Sequence, residues 1–347
     1  MHDLPKFPAL FLVGAALLLT ACSEDTTDDQ DGAPQPACLT AFNHTTATNW
    51  QPAFDATNEG AFLSVWGTSV CDVYTVGGQP GSGVAFAFDG ATWEKMSLPP
   101  VPMLHWVHGA GDDLWMVGES GVTMRSRQGG DFEVIDSGID APLWGIWVTA
   151  PDDAWAVGGD IDIDAPNDPI LLHWNGTAWE RQELPATDRP AKALFKVMAI
   201  APDDVLAVGQ FGLVYHYDGQ SWSLIETGTT EDFVSLWGTD PQNIAIIGGR
   251  SNGVFARWDG TSISTETLVG LPGMNGIWMD KTGVAHTVGL LGTVAVIPDG
   301  QTTFNTQDSA TSELLHGAWG VDDGPRFAVG GSLNRNPPFT GVVVVDP

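Results

Sequence analysis

The sequence predicts an all-β chain folded as a seven-bladed β-propeller with four-stranded blades, the last blade closed by an amino-terminal strand. Seven glycines, Gly77, Gly118, Gly158, Gly209, Gly248, Gly289 and Gly330, each end a Val-Gly or Ile-Gly pair and follow one another at intervals of 41, 40, 51, 39, 41 and 41 residues. Eleven residues before each stands a large apolar residue: Trp66, Val107, Trp147, Met198, Trp237, Trp278 and Trp319. Repeats of this length, each read as four short strands, mark a ring that leaves few exposed sheet edges. The final repeat stops after its third strand, Val342 to Val345, while Ala47-Thr48-Asn49-Trp50-Gln51-Pro52 matches the fourth-strand start Gly176-Thr177-Ala178-Trp179. The amino terminus therefore supplies the missing strand. With 42 Gly, 23 Pro and only 16% charged residues, the composition suits short strands and turns.

Ahead of the ring, Met1 to Pro8 carries Lys6, and Ala9 to Ala21 is an uncharged apolar run too short to span a bilayer. Residues 1–21 read as an export signal. Their end, Leu19-Thr20-Ala21-Cys22, resembles the bacterial lipobox, which implies a lipid on Cys22. Several acyl chains on one residue anchor a protein stably where one chain does not. By resemblance to the sorting rule of diderm lipoproteins, Ser23 after the cysteine implies the outer membrane, in either leaflet. Residues 22–39, with Glu24, Asp25, Asp28, Asp29 and Asp31, are too polar to pack and read as a disordered tether. In an oxidising compartment the remaining pair, Cys38 and Cys71, is expected to form a disulfide that fastens the closure.

Residues 40–347 form the propeller, and each repeat shows its turns. Between the first and second strands stands a turn such as Ala150-Pro151-Asp152-Asp153, repeated at Pro202-Asp203-Asp204. Proline presets φ there and aspartate bonds nearby amides. Between the third and fourth strands stand Asp89-Gly90, Asn175-Gly176, Asp218-Gly219 and Asp259-Gly260, most with a tryptophan shortly after. These units resemble the Asp-box and kelch-like repeats of bacterial secreted propellers, especially the photosystem-assembly-factor type. Phe88-Asp89-Gly90-Ala91-Thr92-Trp93 departs from the Asp-box pattern Ser-x-Asp-x-Gly-x-Thr-Trp, so the turn is similar and not identical. A second similarity is to tectonin-type lectins, with poorer spacing.

The formal charge of −30, from 43 acidic and 13 basic residues, excludes a nucleic-acid surface, which needs clustered cations. The Asp-box resemblance brings in sialidases, whose site would need an arginine triad, an acid and a tyrosine. Here Tyr74, Tyr215 and Tyr217 fall in repeat strands and the arginines show no grouping, so an enzyme is not expected. No zincin or phosphate-loop motif occurs. His105 and His108 border an inner strand and read as structural, and His173 and His216 share a repeat position with Arg257. Asp72, Asp113, Asp153 and Asp204 read as turn formers.

One acidic loop stands apart. Asp160, Asp162, Asp164 and Asp168 alternate as calcium ligands do, although Ala165 and Leu171 stand where an EF-hand needs Gly and Glu. Calcium is the one cofactor the sequence suggests. Of 15 tryptophans, Trp106 and Trp144 fall outside the repeat register. They are placed near the face that carries the irregular segments 159–169, 183–195 and 331–340. Irregularity gathered on one face marks a binding surface, with Asp160 to Asp168, Trp106, Trp144, Arg189, Asn334 and Arg335 as candidate contacts. The expected function is a lipid-anchored, monomeric binding or scaffold module for an envelope protein or complex. A glycan-binding propeller is the alternative, and a glycoside hydrolase comes third.

Overall fold

The computed structural model describes residues 50–347. The export signal, Cys22, the tether and Cys38 lie outside the described residues. Seven four-stranded antiparallel sheets follow one another along the chain. Their first strands are Ala61–Ser69, Leu104–Ala110, Leu143–Ala150, Leu194–Ala201, Phe233–Asp240, Met274–Met279 and Leu314–Gly320. These strands pack against one another from blade to blade and so surround the axis. Because neighbours are antiparallel, turns between strands one and two and between three and four lie on one face. Loops between strands two and three, and between blades, lie on the other.

Blades 1 to 6 are each built from consecutive strands, whereas blade 7 takes its fourth strand from the amino terminus, as expected. Gln51 pairs with Val345 and Pro52 with Val344, and the Ala53 amide donates to Val343 O at 2.9 Å. Trp50 is 7% exposed and packs with Val288, Val294, Leu315 and Val344. Its Nε1 donates to Gln307 Oε1 at 3.0 Å, so this tryptophan ties blade 7 to blade 6.

The seven glycines owe their register to a close backbone approach. A Cβ on any of them would lie between 1.9 Å (Gly77, Gly248, Gly330) and 2.4 Å (Gly209, Gly289) from a carbonyl oxygen at the start of the blade's first strand or just ahead of it. In blades 2 to 6 the amide after the glycine bonds that same carbonyl, as in Gly159 N to Pro142 O at 3.0 Å. The approach closes the hydrogen bond, and only glycine permits the approach. The Asx-Gly turns also have a local cause. Asp89 Oδ1 accepts from the amides of Ala91 and Thr92, both at 2.8 Å, and Asn175, Asp218 and Asp259 repeat this. The glycines that follow have φ of +94°, +92°, +86° and +89°. Those amides hold the carboxyl groups of Asp89, Asp218 and Asp259 below the ordinary aspartate range.

One expected register fails in blade 2. Trp66 pairs with Tyr74, Trp147 with Trp155 and Trp319 with Phe327, but the residue facing Trp115 is His108 and not Val107. Blade 2 lacks the bulge that blades 1, 3, 4 and 5 carry just before the first turn, so its inner strand is one residue shorter there than theirs. Val107 instead points into the core with 0% exposure. The row around the axis is thus Trp66, His108, Trp147, Met198, Trp237, Trp278 and Trp319. Trp66 lies over Gly109, Trp278 over Gly320 and Trp319 over Gly67, each bridging to the next blade. Trp147 and Trp237 meet edge to face across the axis, with ring centroids 5.6 Å apart. His108 stacks on Trp147 at 4.2 Å, and its Nδ1 accepts the Val148 amide at 3.0 Å. Burial pushes its pKa down to about 3, so it is neutral.

Candidate binding face and axial channel

The loops between strands two and three come in two alternating forms. Blades 1, 3, 5 and 7 carry Gly-Gly, with positive φ at Gly78, Gly159, Gly249 and Gly331, and then a variable segment. Blades 2, 4 and 6 instead carry Gly-x-x-Gly in a single 3-10 turn, at Glu119–Gly121, Gln210–Gly212 and Leu290–Gly292. A hydroxyl from the loop entering the next blade holds each turn: Ser137, Thr227 and Ser309 donate to Gly121 O, Gly212 O and Gly292 O at 2.7, 2.9 and 2.6 Å. The middle residues Ser120, Phe211 and Leu291 all adopt the left-handed region, where a bulky side chain is strained. This alternation is visible in the sequence as Val-Gly-Gly against Val-Gly-x-x-Gly, a signal that the single-glycine register hides.

The insertions 159–169 and 331–340 both follow Gly-Gly pairs, and with 183–193 they gather on this face. Ile163 (92% exposed), Val269 (82%), Leu291 (76%) and Ile161 lie on it too, leaving only Val134 elsewhere among the described large exposed apolar residues. Between blades 3 and 4 a groove of about 670 Å³ is lined by Asp168, Arg181, Leu184, Pro185, Arg189 and Tyr215, among others.

The proposed contact residues have varied settings. Asp160, Asp162, Asp164 and Asp168 do not converge: among the described residues no group of three or more side chains could hold a metal ion. Asp168 pairs with Arg181 at 2.5 Å. Asp160 Oδ1 accepts its own loop's Asp162 amide at 2.9 Å, and Lys192 pins the loop through Ile163 O at 2.6 Å. Arg189 is 16% exposed and clamps the blade 4 turn, donating to Phe211 O at 3.2 Å and Gly212 O at 2.6 Å and pairing with Glu226 at 3.1 Å. Asn334 is exposed, and Arg335 is 65% exposed and pairs with Glu313 at 3.1 Å. Cys71 stands in the first turn of blade 1 in its disulfide form.

Trp106 and Trp144 sit within first strands, not in loops, towards the insertion-face end of the axis. Trp144 stacks on His105 at 4.2 Å with planes 3° apart, and its Nε1 donates to Gly159 O at 2.9 Å. His105 is held by Leu143 O at 2.9 Å and Glu119 at 3.2 Å. Lys196, 4% exposed, crosses the axis from blade 4. Its Nζ lies 4.0 Å from the Trp106 ring centroid and donates to Trp144 O at 3.0 Å and Phe195 O at 3.1 Å. Burial lowers its pKa to about 7. From blade 7, His316 meets Leu63 O at 2.8 Å, and burial, with the Lys196 charge next in size, pushes its pKa down to about 3.

The aspartates taken for turn formers do a second job. Asp153 pairs with His173 at 2.6 Å and Asp204 with His216 at 2.9 Å, while Asp113 pairs with Arg125. In blade 5 Asn243 Oδ1 accepts from Arg257 at 3.1 Å. The repeat position shared by His173, His216 and Arg257 therefore sets a side-chain nitrogen opposite the acceptor that starts strand two. Alignment of strands two and three could have revealed this.

No protein-family model and no curated protein sequence matches the chain. Among solved structures it is similar to YCF48 bound to D1 peptide (14% identity, 87% of this chain and 98% of that chain, TM-score 0.63). It is also similar to YCF48 from Cyanidioschyzon merolae (15%, 86% and 98%, 0.65) and to a virginiamycin B lyase from Staphylococcus aureus (9%, 87% and 100%, 0.69). At such identities the likeness is one of fold, and it spans both binding proteins and an enzyme. The two YCF48 structures support the expected propeller type.

Proposed function

We propose that this chain is a protein-binding propeller, held at the cell envelope by a lipid on Cys22 and recognising an envelope protein or complex with its insertion face. The observation that carries this reading is the concentration of exposed Ile161, Ile163, Val269 and Leu291 on the face that bears every irregular insertion. Exposed apolar side chains rimmed by polar loops mark interaction surfaces. The similarity to a propeller solved with a bound peptide supports it. A glycan reader would present tryptophans at repeated surface positions, yet all 15 are buried or half-buried. Binding rather than turnover suits a face whose cations Arg181, Arg189, Arg250 and Arg335 are each occupied by a carboxylate. The Cys38–Cys71 disulfide and the outer-membrane address belong to the same proposal.

The test immobilises residues 36–347 and compares capture from envelope extract with binding to a glycan array. A protein partner lost on Ile163→Asp with Leu291→Asp supports the reading. Glycan binding, or capture indifferent to both substitutions, overturns it.

A further inference from the structure

We propose that the axial channel is a binding site for a carboxylate group, seated by Lys196 beneath a mouth formed by Trp144, Trp106 and His316. The site needs no protein partner and so goes beyond the reading above. Nine of the twelve described lysines and arginines of this acidic chain are paired with an acid. Lys95, Arg125, Arg181, Arg189, Arg250, Arg257, Lys281, Arg326 and Arg335 all contact a carboxylate. Among the described residues Lys196 alone is buried and has no such partner. Two of its N–H donors go to the carbonyls of Trp144 and Phe195 and its charge faces the Trp106 ring, contacts that orient the ammonium without neutralising it.

The surroundings are built from different blades. Trp106 and His105 come from blade 2, Trp144 from blade 3 and His316 from blade 7. Leu63 and Ser64 of blade 1, Ser235 of blade 5 and Asn275 of blade 6 complete the ring without charge. The titratable groups facing the channel are His105, His316 and Glu119, the last tied to His105. Trp106, Trp144, Phe195, Asn275 and His316 keep partial exposure although blades flank them, which leaves the axis as their route to solvent. On the opposite side the tryptophan row fills the axis. Lys196, buried beyond these partly exposed groups, therefore stands at the inner end of that route. Burying a lone ammonium is costly, and a carboxylate is the group that removes the cost. An amide or alcohol would not.

Binding also has a proton signature. A lysine with a pKa of about 7 is mostly neutral at pH 8, and a carboxylate against it favours the charged form. Each bound ligand should then draw close to one proton from solution.

The experiment is titration calorimetry at pH 8 on the folded chain, in two buffers of different ionisation enthalpy. The probes are acetate, N-acetyl-trialanine and its C-terminal amide, with chloride as the ionic-strength control. Saturable binding of a free carboxylate with uptake of close to one proton, and at least about tenfold weaker binding of the amide, is expected. Acetate binding as well as the peptide assigns a small carboxylate, and peptide binding alone assigns a chain terminus. Lys196→Gln should abolish both the proton uptake and the acid preference. Equal binding of acid and amide, no saturable binding of either acid, or an unchanged response in Lys196→Gln overturns the proposal. The acid–amide comparison stands even should that variant fail to fold.

Discussion

Acid should weaken this protein through His108 in a way that one substitution can isolate. The imidazole is buried, its Nδ1 accepts the Val148 amide at 3.0 Å, and its pKa falls from 6.5 to about 3. Because the folded pKa is depressed, the unfolded chain takes up the proton first. The contribution is intact above pH 6.5 and is lost progressively as pH falls towards 3. At pH 5 the unfolded histidine is almost fully protonated and the folded one is not, which lowers stability by about 2 kcal/mol relative to pH 7. Protonation at Nδ1 would also leave the Val148 amide without its acceptor. Glutamine can supply an acceptor at the same place without titrating, so His108→Gln should keep most of its stability at pH 7 and lose about 2 kcal/mol less than the parent between pH 7 and 5. Denaturant unfolding at the two pH values reads the difference directly. Charge repulsion among the acidic side chains changes over the same interval, but equally in both proteins. Parallel losses in parent and variant would refute the assignment of His108 as a buried neutral acceptor.

Three further outcomes follow from the same physics. Lys196→Met should raise stability at pH 6 by about 1–4 kcal/mol, because a buried unpaired cation gives way to an apolar side chain. That gain should shrink as pH rises from 7 towards 10.5, where the folded lysine is already neutral and the unfolded one is losing its proton. Thermal and denaturant unfolding check both statements. Trp50→Ala should cost about 3–5 kcal/mol by emptying the seat between blades 6 and 7, measured by the denaturant midpoint. Gly248→Ala places a Cβ 1.9 Å from Asp232 O and should prevent accumulation of folded protein, whereas alanine at exposed Gly81 leaves soluble yield far less affected, since nothing lies within 4 Å of a Cβ there and its φ is not positive.

Much of the ring is written locally. Asp89-Gly90 and its counterparts turn the chain because a side-chain oxygen captures two amides close by and glycine takes the positive φ. The register glycines recur because each meets a carbonyl within its own repeat. Such causes act over a few residues or one blade, so counting along the chain finds them. The count also finds the borrowed strand at Gln51–Pro52, because a missing fourth strand and a spare one are both visible in the repeat.

Counting fails where blades differ by one bulge or where distant residues converge. A fixed interval of eleven places Val107 in the axial row, but the missing bulge in blade 2 puts His108 there, and only pairing with Trp115 discloses it. Asp160 to Asp168 has ligand spacing, yet coordination needs convergence in space, and Arg181 and Lys192 hold that loop otherwise. Lys196 gave no signal at all. Its solitary charge has meaning only beside Trp106, Trp144 and His316, which the closed ring brings to one axis. The repeat thus determines how many blades form and how they close, since those features rest on local sterics and hydrogen bonds. What stands at the axis is decided by closure, which alone sets the burial and neighbours of side chains from separate blades.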